Sequence, residues 1–249
     1  VAGLTTANTT FKANPDTWTN GKVTMTASTN VSGYTIQTTK TPTVESSWKN
    51  TASQEFTENG KIYARLWDGT NAGGYSTGNV TNIDTLAPKG FTPTATSTTK
   101  SITVTANTTD AEATNTSASS GIAGYRFKLD SGSWTEYQAS GTYKWDNLTQ
   151  TTNHTITVEV KDNAGNTKQG TATKGTGTVA GLTTANTTFT ASPTGWTSGK
   201  VTMTASTNVS GYTIQTTKTP TIESSWKNTA SQEFTENGKI YARLWDGTN

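Results

Sequence analysis

The stretch KVTMTAST at residues 22–29 decides the fold class of this chain. Val23, Met25 and Ala27 alternate with polar side chains, so an extended backbone would carry them on one face and the hydroxyls on the other. The same eight residues recur at 200–207. Alternation with period two is typical of an antiparallel strand that covers a core on one side and meets water on the other.

The sequence around this stretch is repeated almost unchanged. Residues 1–71 and 179–249 match without a gap, and 65 of the 71 paired positions are identical. The period of 178 residues is too long for one small sandwich and fits two. We therefore predict three domains: A at 1–88, B at 89–177, and a second copy of A at 178–249.

The second copy stops at a position where the first copy goes on. Residues 72–83 follow in the first copy and are expected to form the last strand of A, while the second copy ends at Asn249. A domain without this strand would expose a sheet edge. Either the chain is a window on a longer repeat protein or a neighbouring chain supplies the strand, and we favour the window.

Composition supports small β-sandwiches and excludes several classes of protein. Thr accounts for 61 of the 249 residues, 22 residues are aromatic, and the formal net charge is +2. Thr suits the wet face of a strand, the aromatic rings can fill small cores, and disorder would need a higher net charge. Without cysteine there is no disulfide, thiolate zinc site or Cys nucleophile. We predict an all-β chain of tandem small antiparallel β-sandwiches, about seven strands each, arranged as beads on a string.

Several segments are similar to known surface-protein repeats. In A, WTNGKVT at 18–24, FTENG at 56–60 and DTLAP at 84–88 resemble the bacterial Ig-like repeats of large surface proteins and adhesins. B resembles a fibronectin type III-like module, because Leu148 is followed six residues later by His154 and then by TITV. In that family the position of His154 is usually the Tyr of the tyrosine corner, and the Trp common on the second strand is replaced here by Ala106. The resemblance implies Ig-like and fibronectin III-like sandwiches and carries no activity.

No catalytic constellation is expected. His154 is the single histidine, so neither a His-rich metal site nor a Cys–His pair can form. The pattern G-x-S-x-G at 74–78 lies in a predicted strand rather than a strand–turn–helix element, and we regard it as accidental. We predict that the segment is not an enzyme.

Three acidic residues are candidates for a calcium site. Asp68 and Asp162 each end the sixth strand of their domain, and Asp84 lies in the A–B linker. Repeats of the bacterial kind that this chain resembles sometimes bind calcium between domains through such carboxylates, and Ca²⁺ takes six to eight oxygen ligands. The alternative for Asp162 is turn chemistry in DNAGN at 162–166. No other cofactor is expected.

One strand carries an unusual outer face. Ile62, Ala64 and Leu66 form the better core set, which leaves Tyr63, Arg65 and Trp67 together on the other face. The second copy repeats them as Tyr241, Arg243 and Trp245. We call these residues the aromatic stripe. Exposed, it would be a contact surface for a domain, a chain or a sugar ring; the alternative is that the two faces are swapped and the stripe is core.

These features favour a structural or adhesive segment of a secreted or cell-surface bacterial protein: a stalk, fibre or adhesin extension. The alternatives are a carbohydrate- or protein-binding module and a non-catalytic appendage of a secreted enzyme. Expected partners are neighbouring repeats or chains of the same protein, a glycan or a host surface. The sequence indicates no nucleic-acid partner and no membrane span in this segment. The linker at 84–88, which ends in Pro88, should be stiffer than the two-glycine linker at 173–178.

Overall fold

The structure, a computed structural model, describes residues 1–247 and is built almost entirely of strands. The only helical elements in this range are two single 3₁₀ turns at Glu45–Ser47 and Glu223–Ser225. The predicted all-β class is therefore confirmed. The strands form small antiparallel sheets, in agreement with tandem β-sandwich modules.

Domain A has six strands in two three-stranded sheets. The strands are β1 (Thr9–Asn14), β2 (Val23–Thr29), β3 (Thr35–Thr39), β4 (Ser53–Phe56), β5 (Gly60–Trp67) and β6 (Ser76–Val80). One sheet has the order β1-β2-β4 and the other the order β3-β5-β6. Seven strands were expected from the turn signals, and six are formed.

The core of A lies between these two sheets and contains the alternating residues that the sequence singled out. Val23 and Met25 of β2 pack with Ile62 of β5 and Val80 of β6 in one buried cluster. Ala27, Ala64 and Leu66 belong to a second cluster at the other end of the sandwich. Burial of these side chains removes apolar surface from water, at roughly 25 cal/mol per Å².

Domain B has the same topology as A. Its strands are β7 (Thr94–Ser97), β8 (Ile102–Thr105), β9 (Ile122–Leu129), β10 (Thr142–Trp145), β11 (Asn153–Asp162) and β12 (Thr167–Gly175). They form the sheets β10-β8-β7 and β12-β11-β9. Phe127, Val158 and Val160 are fully buried. The strand order thus repeats although the two sequences have little in common.

The described part of the second copy of A has five strands. They are β13 (Thr187–Ser192), β14 (Val201–Thr207), β15 (Thr213–Thr217), β16 (Ser231–Phe234) and β17 (Tyr241–Trp245). The sheet β13-β14-β16 matches β1-β2-β4, and β15 pairs with β17 as β3 pairs with β5.

The chain divides into two compact units. The first consists of Val1–Ala95, Thr103–Tyr143 and Thr155–Thr173, and the second of Thr96–Ile102, Lys144–His154 and the chain from Lys174 onward. Domain A and most of B therefore pack as one body. The three-domain division predicted from the sequence does not coincide with these units and stays a prediction.

Two of the predicted turns need glycine for their backbone conformation. Gly69, after Asp68, has φ of +102°, and Gly165, three residues after Asp162, has φ of +98°. Residues with a Cβ atom rarely adopt such angles. These glycines place the two aspartates at the ends of β5 and β11.

Candidate functional site

Three buried carboxylates meet where A joins B. Asp84 follows the last strand of A, Asp110 lies in the β8–β9 connection, and Asp162 ends β11. One oxygen of each lies within 4.8 Å of the other two. The three residues are 0%, 8% and 1% exposed, respectively. We call this group the junction carboxylates.

The carboxylate of Asp84 fastens the linker to the loops of B. Its Oδ2 accepts the backbone N–H of Ser120 at 2.9 Å, and its Oδ1 accepts the Ser117 hydroxyl at 3.3 Å. The Asn166 side-chain amide donates to the backbone carbonyl of Asp84 at 2.9 Å. These contacts come from two loops of B that are distant in sequence, so they restrain the linker from more than one side.

The other two carboxylates are held by groups of B itself. Asp110 accepts the backbone N–H of Gly121 at 2.7 Å and of Ala111 at 2.9 Å. Asp162 accepts the backbone N–H and the side-chain amide of Asn166, both at 2.8 Å. The turn chemistry expected for residues 162–166 is therefore present, together with the cluster.

In the described part of the chain, the charges of this cluster are not paired with a cation. Within residues 1–247, no Lys, Arg or His forms an ion pair with any of the three. Burial raises the pKa of Asp162, the hydrogen bonds from Asn166 oppose this rise, and the charges of Asp84 and Asp110 add to it. Two like charges at this separation repel by roughly 3–4 kcal/mol at an effective dielectric constant of about 20. A proton or a cation held among them would relieve that repulsion.

Sequence reasoning found two members of this cluster and missed the third. Asp68 does not belong to it: this carboxylate is exposed and accepts the backbone N–H groups of Thr70 and Asn71, which lowers its pKa. Asp68 therefore does not share a calcium site with Asp84 and Asp162, because its carboxylate closes the turn between β5 and β6. Asp110 lies in a polar connection without any spacing signal, and only the fold brings it to Asp84.

Backbone hydrogen bonds also join A to B beside the junction carboxylates. Asn59 N–H donates to the Thr116 carbonyl at 2.7 Å, and Ala118 N–H donates to the Ile83 carbonyl at 2.8 Å. The Asn59 side chain bonds both the N–H and the carbonyl of Ile83. The end of A is thereby tied to the β8–β9 connection of B through its main chain.

The aromatic stripe of A lies on the predicted face of β5, where Arg65 is buried and Tyr63 and Trp67 are half-buried. Ile62, Ala64 and Leu66 are fully buried in the core, as expected from alternation. On the other face the guanidinium of Arg65 donates to Gln37 at 2.8 Å and pairs with both carboxylate oxygens of Glu45. It also lies over the Trp48 ring at 4.3 Å and the Trp67 ring at 5.8 Å. The expectation that Arg65 is exposed is therefore wrong.

The cover comes from the β3–β4 connection and from the residue before β6. The connection supplies Glu45 and Trp48, and Tyr75 lies against Trp48 at 6.1 Å and edge-on to Tyr63 at 5.4 Å between ring centroids. Hydrogen bonding to Arg65 lowers the pKa of Glu45. On the outer face of the β3-β5-β6 sheet, Arg65 and Trp48 are thus buried, while Tyr75 is 51% exposed.

Domain B has a polar pair at the corresponding place on its β9–β11 ladder. Glu159 lies opposite Arg126 and accepts hydrogen bonds from Arg126, from the Tyr137 hydroxyl and from Gln169. Burial opposes ionisation of Glu159, but these hydrogen bonds together outweigh it and lower the pKa. Burial and the bond to Glu159 raise the pKa of Tyr137 to about 12. Trp134 lies over Arg126 as Trp48 lies over Arg65.

The second copy of A repeats the contacts of Arg65 at Arg243, which is more exposed. Arg243 bonds Gln215 and Glu223 and lies between the rings of Trp226 and Trp245. Its side chain is 29% exposed, against 8% for Arg65.

The remaining candidates occupy structural positions. His154 is buried in β11. Ser76 of the G-x-S-x-G match is buried in β6, as the accidental interpretation requires. No helix in the described part of the chain is long and apolar enough to cross a membrane.

Similarity to known proteins is found among solved structures. No family model matches the chain. No curated protein matches it either. Among solved structures, the fibronectin(III)-like modules of Clostridium thermocellum CbhA are 14% identical, with 68% of this chain and 94% of that chain covered and a TM-score of 0.35. The FN1–FN3 domains of chicken CNTN1 are also 14% identical, with 94% and 86% covered and a TM-score of 0.30.

Proposed function

We propose that this chain is a structural repeat segment of a secreted or cell-surface bacterial protein, in which sandwich modules are joined into a stalk, fibre or adhesin extension. The observation that carries the proposal is the A–B junction. Its linker residue Asp84 is fully buried and is held by hydrogen bonds from two loops of B. A linker that only tethered two domains would not need such contacts, whereas a segment that keeps its modules in a fixed orientation would.

The test is the distribution of inter-module angles. Particles of the chain imaged by electron microscopy should show a narrow spread of angles at A–B, and a wider one at B–A, where two glycines lie in the linker. Replacing Asp84 by Ala should widen the A–B spread without unfolding A or B. Equal spreads at both junctions in the wild-type chain would contradict the proposal.

We further propose that the junction carboxylates bind one Ca²⁺ ion, which stiffens the joint. Three carboxylate oxygens converge there, and within residues 1–247 no Lys or Arg forms an ion pair with any of them. Ca²⁺ accepts carboxylate, carbonyl and water oxygens in flexible geometry, so backbone carbonyls and water would complete its shell. When bound, the ion would supply positive charge that offsets the negative charge of the three carboxylates.

Calcium titration with matched variants tests this site. Calorimetry should detect one site in the wild-type chain, and Ca²⁺ at 100 times Kd should stabilise the A–B unit by about 2.7 kcal/mol relative to EDTA. Asp110→Asn should abolish binding, because it removes a ligand charge at nearly constant volume. Asp68→Asn, in the exposed turn, is the control and should bind normally. No calcium-dependent change in the thermal midpoint of the wild-type chain would exclude the site.

A further inference from the structure

The outer face of the β9–β11 ladder in domain B carries a row of alternating cations and aromatic rings. In order, its members are Lys128, Trp134, Arg126, Tyr137 and Lys161. The cations lie over the ring centroids at 5.0 Å for Lys128 and Trp134, at 4.7 and 4.9 Å for Arg126 with Trp134 and Tyr137, and at 4.1 Å for Lys161 and Tyr137. We call these five residues the cationic row. Cation–π contacts hold its charged groups in place on the surface.

Strand alternation and the segment after β9 bring the cationic row together. Arg126 and Lys128 share a face of β9 because they are two residues apart. Lys161 lies on the same face of β11, two residues after Glu159, which is opposite Arg126. The two rings belong to residues 133–138, which return antiparallel beside β9 and bond its backbone. The row thus crosses three adjacent stretches of extended chain.

The cationic row carries an excess of positive charge. Glu159 forms an ion pair with Arg126 at 2.6 Å and offsets its charge. Lys128 and Lys161 remain, and within residues 1–247 neither forms an ion pair. Three cations against one carboxylate leave a net charge of +2, as large as the formal net charge of the whole chain. A local excess of this kind attracts an anionic partner.

The corresponding face of A is neutral and more closed. There Arg65 pairs with Glu45, and its side chain is 8% exposed, whereas that of Arg126 is 32% exposed. Within residues 1–247, Arg65 is the cation that lies over the Trp48 and Trp67 rings, and no lysine adds to it. Domain A therefore provides an internal comparison in which the arginine is present without the excess charge.

The surroundings of the cationic row are rich in hydroxyl groups. Thr155 of β11 and Thr171 and Thr173 of β12 are exposed on the face that carries Glu159 and Gln169, which hydrogen-bond each other. Threonine hydroxyls both donate and accept hydrogen bonds, as the hydroxyls of a sugar do. The face of a sheet presents side chains, whereas an extended peptide adds to the main chain of a sheet edge. The surface therefore suits a polyhydroxylated partner better than a peptide strand.

We infer that the cationic row is a binding site for an acidic polysaccharide. Carboxylates of the polymer contact Lys128 and Lys161, and its sugar rings pack on the half-buried Trp134 and Tyr137. Lys161 is opposite Gly124, four positions from Lys128 along β9, which places the two lysine Cα atoms about 14 Å apart. This separation suits a polymer with repeated acid groups better than a single small anion. The structural role proposed above rests on the A–B junction and does not depend on this surface.

Titration of the whole chain with a short oligogalacturonate, a polymer of uronic acids, tests the inference. We expect saturable binding by calorimetry that weakens as NaCl is added, because salt screens exposed charges. In NMR spectra, the indole N–H resonance of Trp134 should shift, while those of Trp48 and Trp67 in A stay unchanged. A neutral dextran oligomer should bind much more weakly than the oligogalacturonate, because it lacks the carboxylates.

Two double variants with the same change in net charge locate the site. Lys128→Gln combined with Lys161→Gln should bind about tenfold more weakly, as the loss of two surface charge contacts predicts. Lys89→Gln combined with Lys144→Gln removes lysines that pair with Glu112 and Asp146, and should bind like the wild-type chain. The inference is overturned if oligogalacturonate does not bind or if both double variants bind it equally. It is also overturned if polyglutamate binds as tightly, since the site would then be one for acidic peptides.

Discussion

Replacement of Arg65 by Ala should destabilise the first copy of A more than Arg243→Ala destabilises the second. Arg65 is almost fully enclosed, and its removal leaves the buried Gln37 carbonyl without its donor at 2.8 Å. It also removes the cation from between the Trp48 and Trp67 rings. Arg243 makes the same contacts at a more exposed site.

The magnitude follows from these contacts. An unsatisfied buried acceptor costs about 1–3 kcal/mol, and a desolvated cation–π contact contributes about 1–2 kcal/mol. Loss of both therefore predicts roughly 2–4 kcal/mol for Arg65→Ala, since such terms overlap. Arg243→Ala should cost less, about 1–2 kcal/mol: buried Gln215 also loses its donor, but water can enter the space left by the 29% exposed Arg243 side chain.

Hydrogen exchange in the whole chain measures both changes. The free energy of opening, read from the amides of β3 and β5 for the first copy and of β15 and β17 for the second, separates the two copies in one sample. A loss below about 0.5 kcal/mol for Arg65→Ala would refute the reasoning, and Arg65 would then be the surface contact that the sequence suggested. Arg65→Lys should restore little, because ammonium cannot bond Gln37 and both Glu45 oxygens in the same plane.

Two further predictions concern single side chains. The pKa of Tyr137 is raised to about 12, so the folded state of B favours the neutral phenol. This contribution to the stability of B is fully present below the ordinary phenol pKa of about 10 and is lost as the pH rises through 12. Tyr137→Phe should therefore remove one phenol that titrates near 12 at 295 nm and leave B less sensitive to alkali; an unchanged ultraviolet titration curve would contradict the bond to Glu159. Gly78→Ala should destabilise the first copy by about 1–3 kcal/mol in thermal unfolding, because the new methyl group meets Phe11 at less than normal contact distance. Gly60→Ala is the control: its Cβ has no neighbour closer than 3.6 Å, so a loss equal to that of Gly78→Ala would rule out the packing explanation.

The inward faces of β2 and β5 could be predicted from the sequence because a strand places alternate residues on opposite sides. Val23 and Met25, and equally Ile62 and Leu66, are buried as the alternation indicates. The turn positions could also be predicted, since Gly69 and Gly165 adopt positive φ angles that few other residues tolerate. The inward faces and the turns depend on residues two to four positions apart, so they can be predicted from the sequence.

The sequence by itself therefore determined the β class, the repeat and the inward faces of the strands. The tertiary structure decided what covers the outer faces and which charges meet. Arg65 is enclosed because Glu45 and Trp48 reach it from a separate connection, and Asp110 joins Asp84 across 26 positions of chain. Neither contact leaves a periodic signal, because each depends on how loops pack after the sheets have formed.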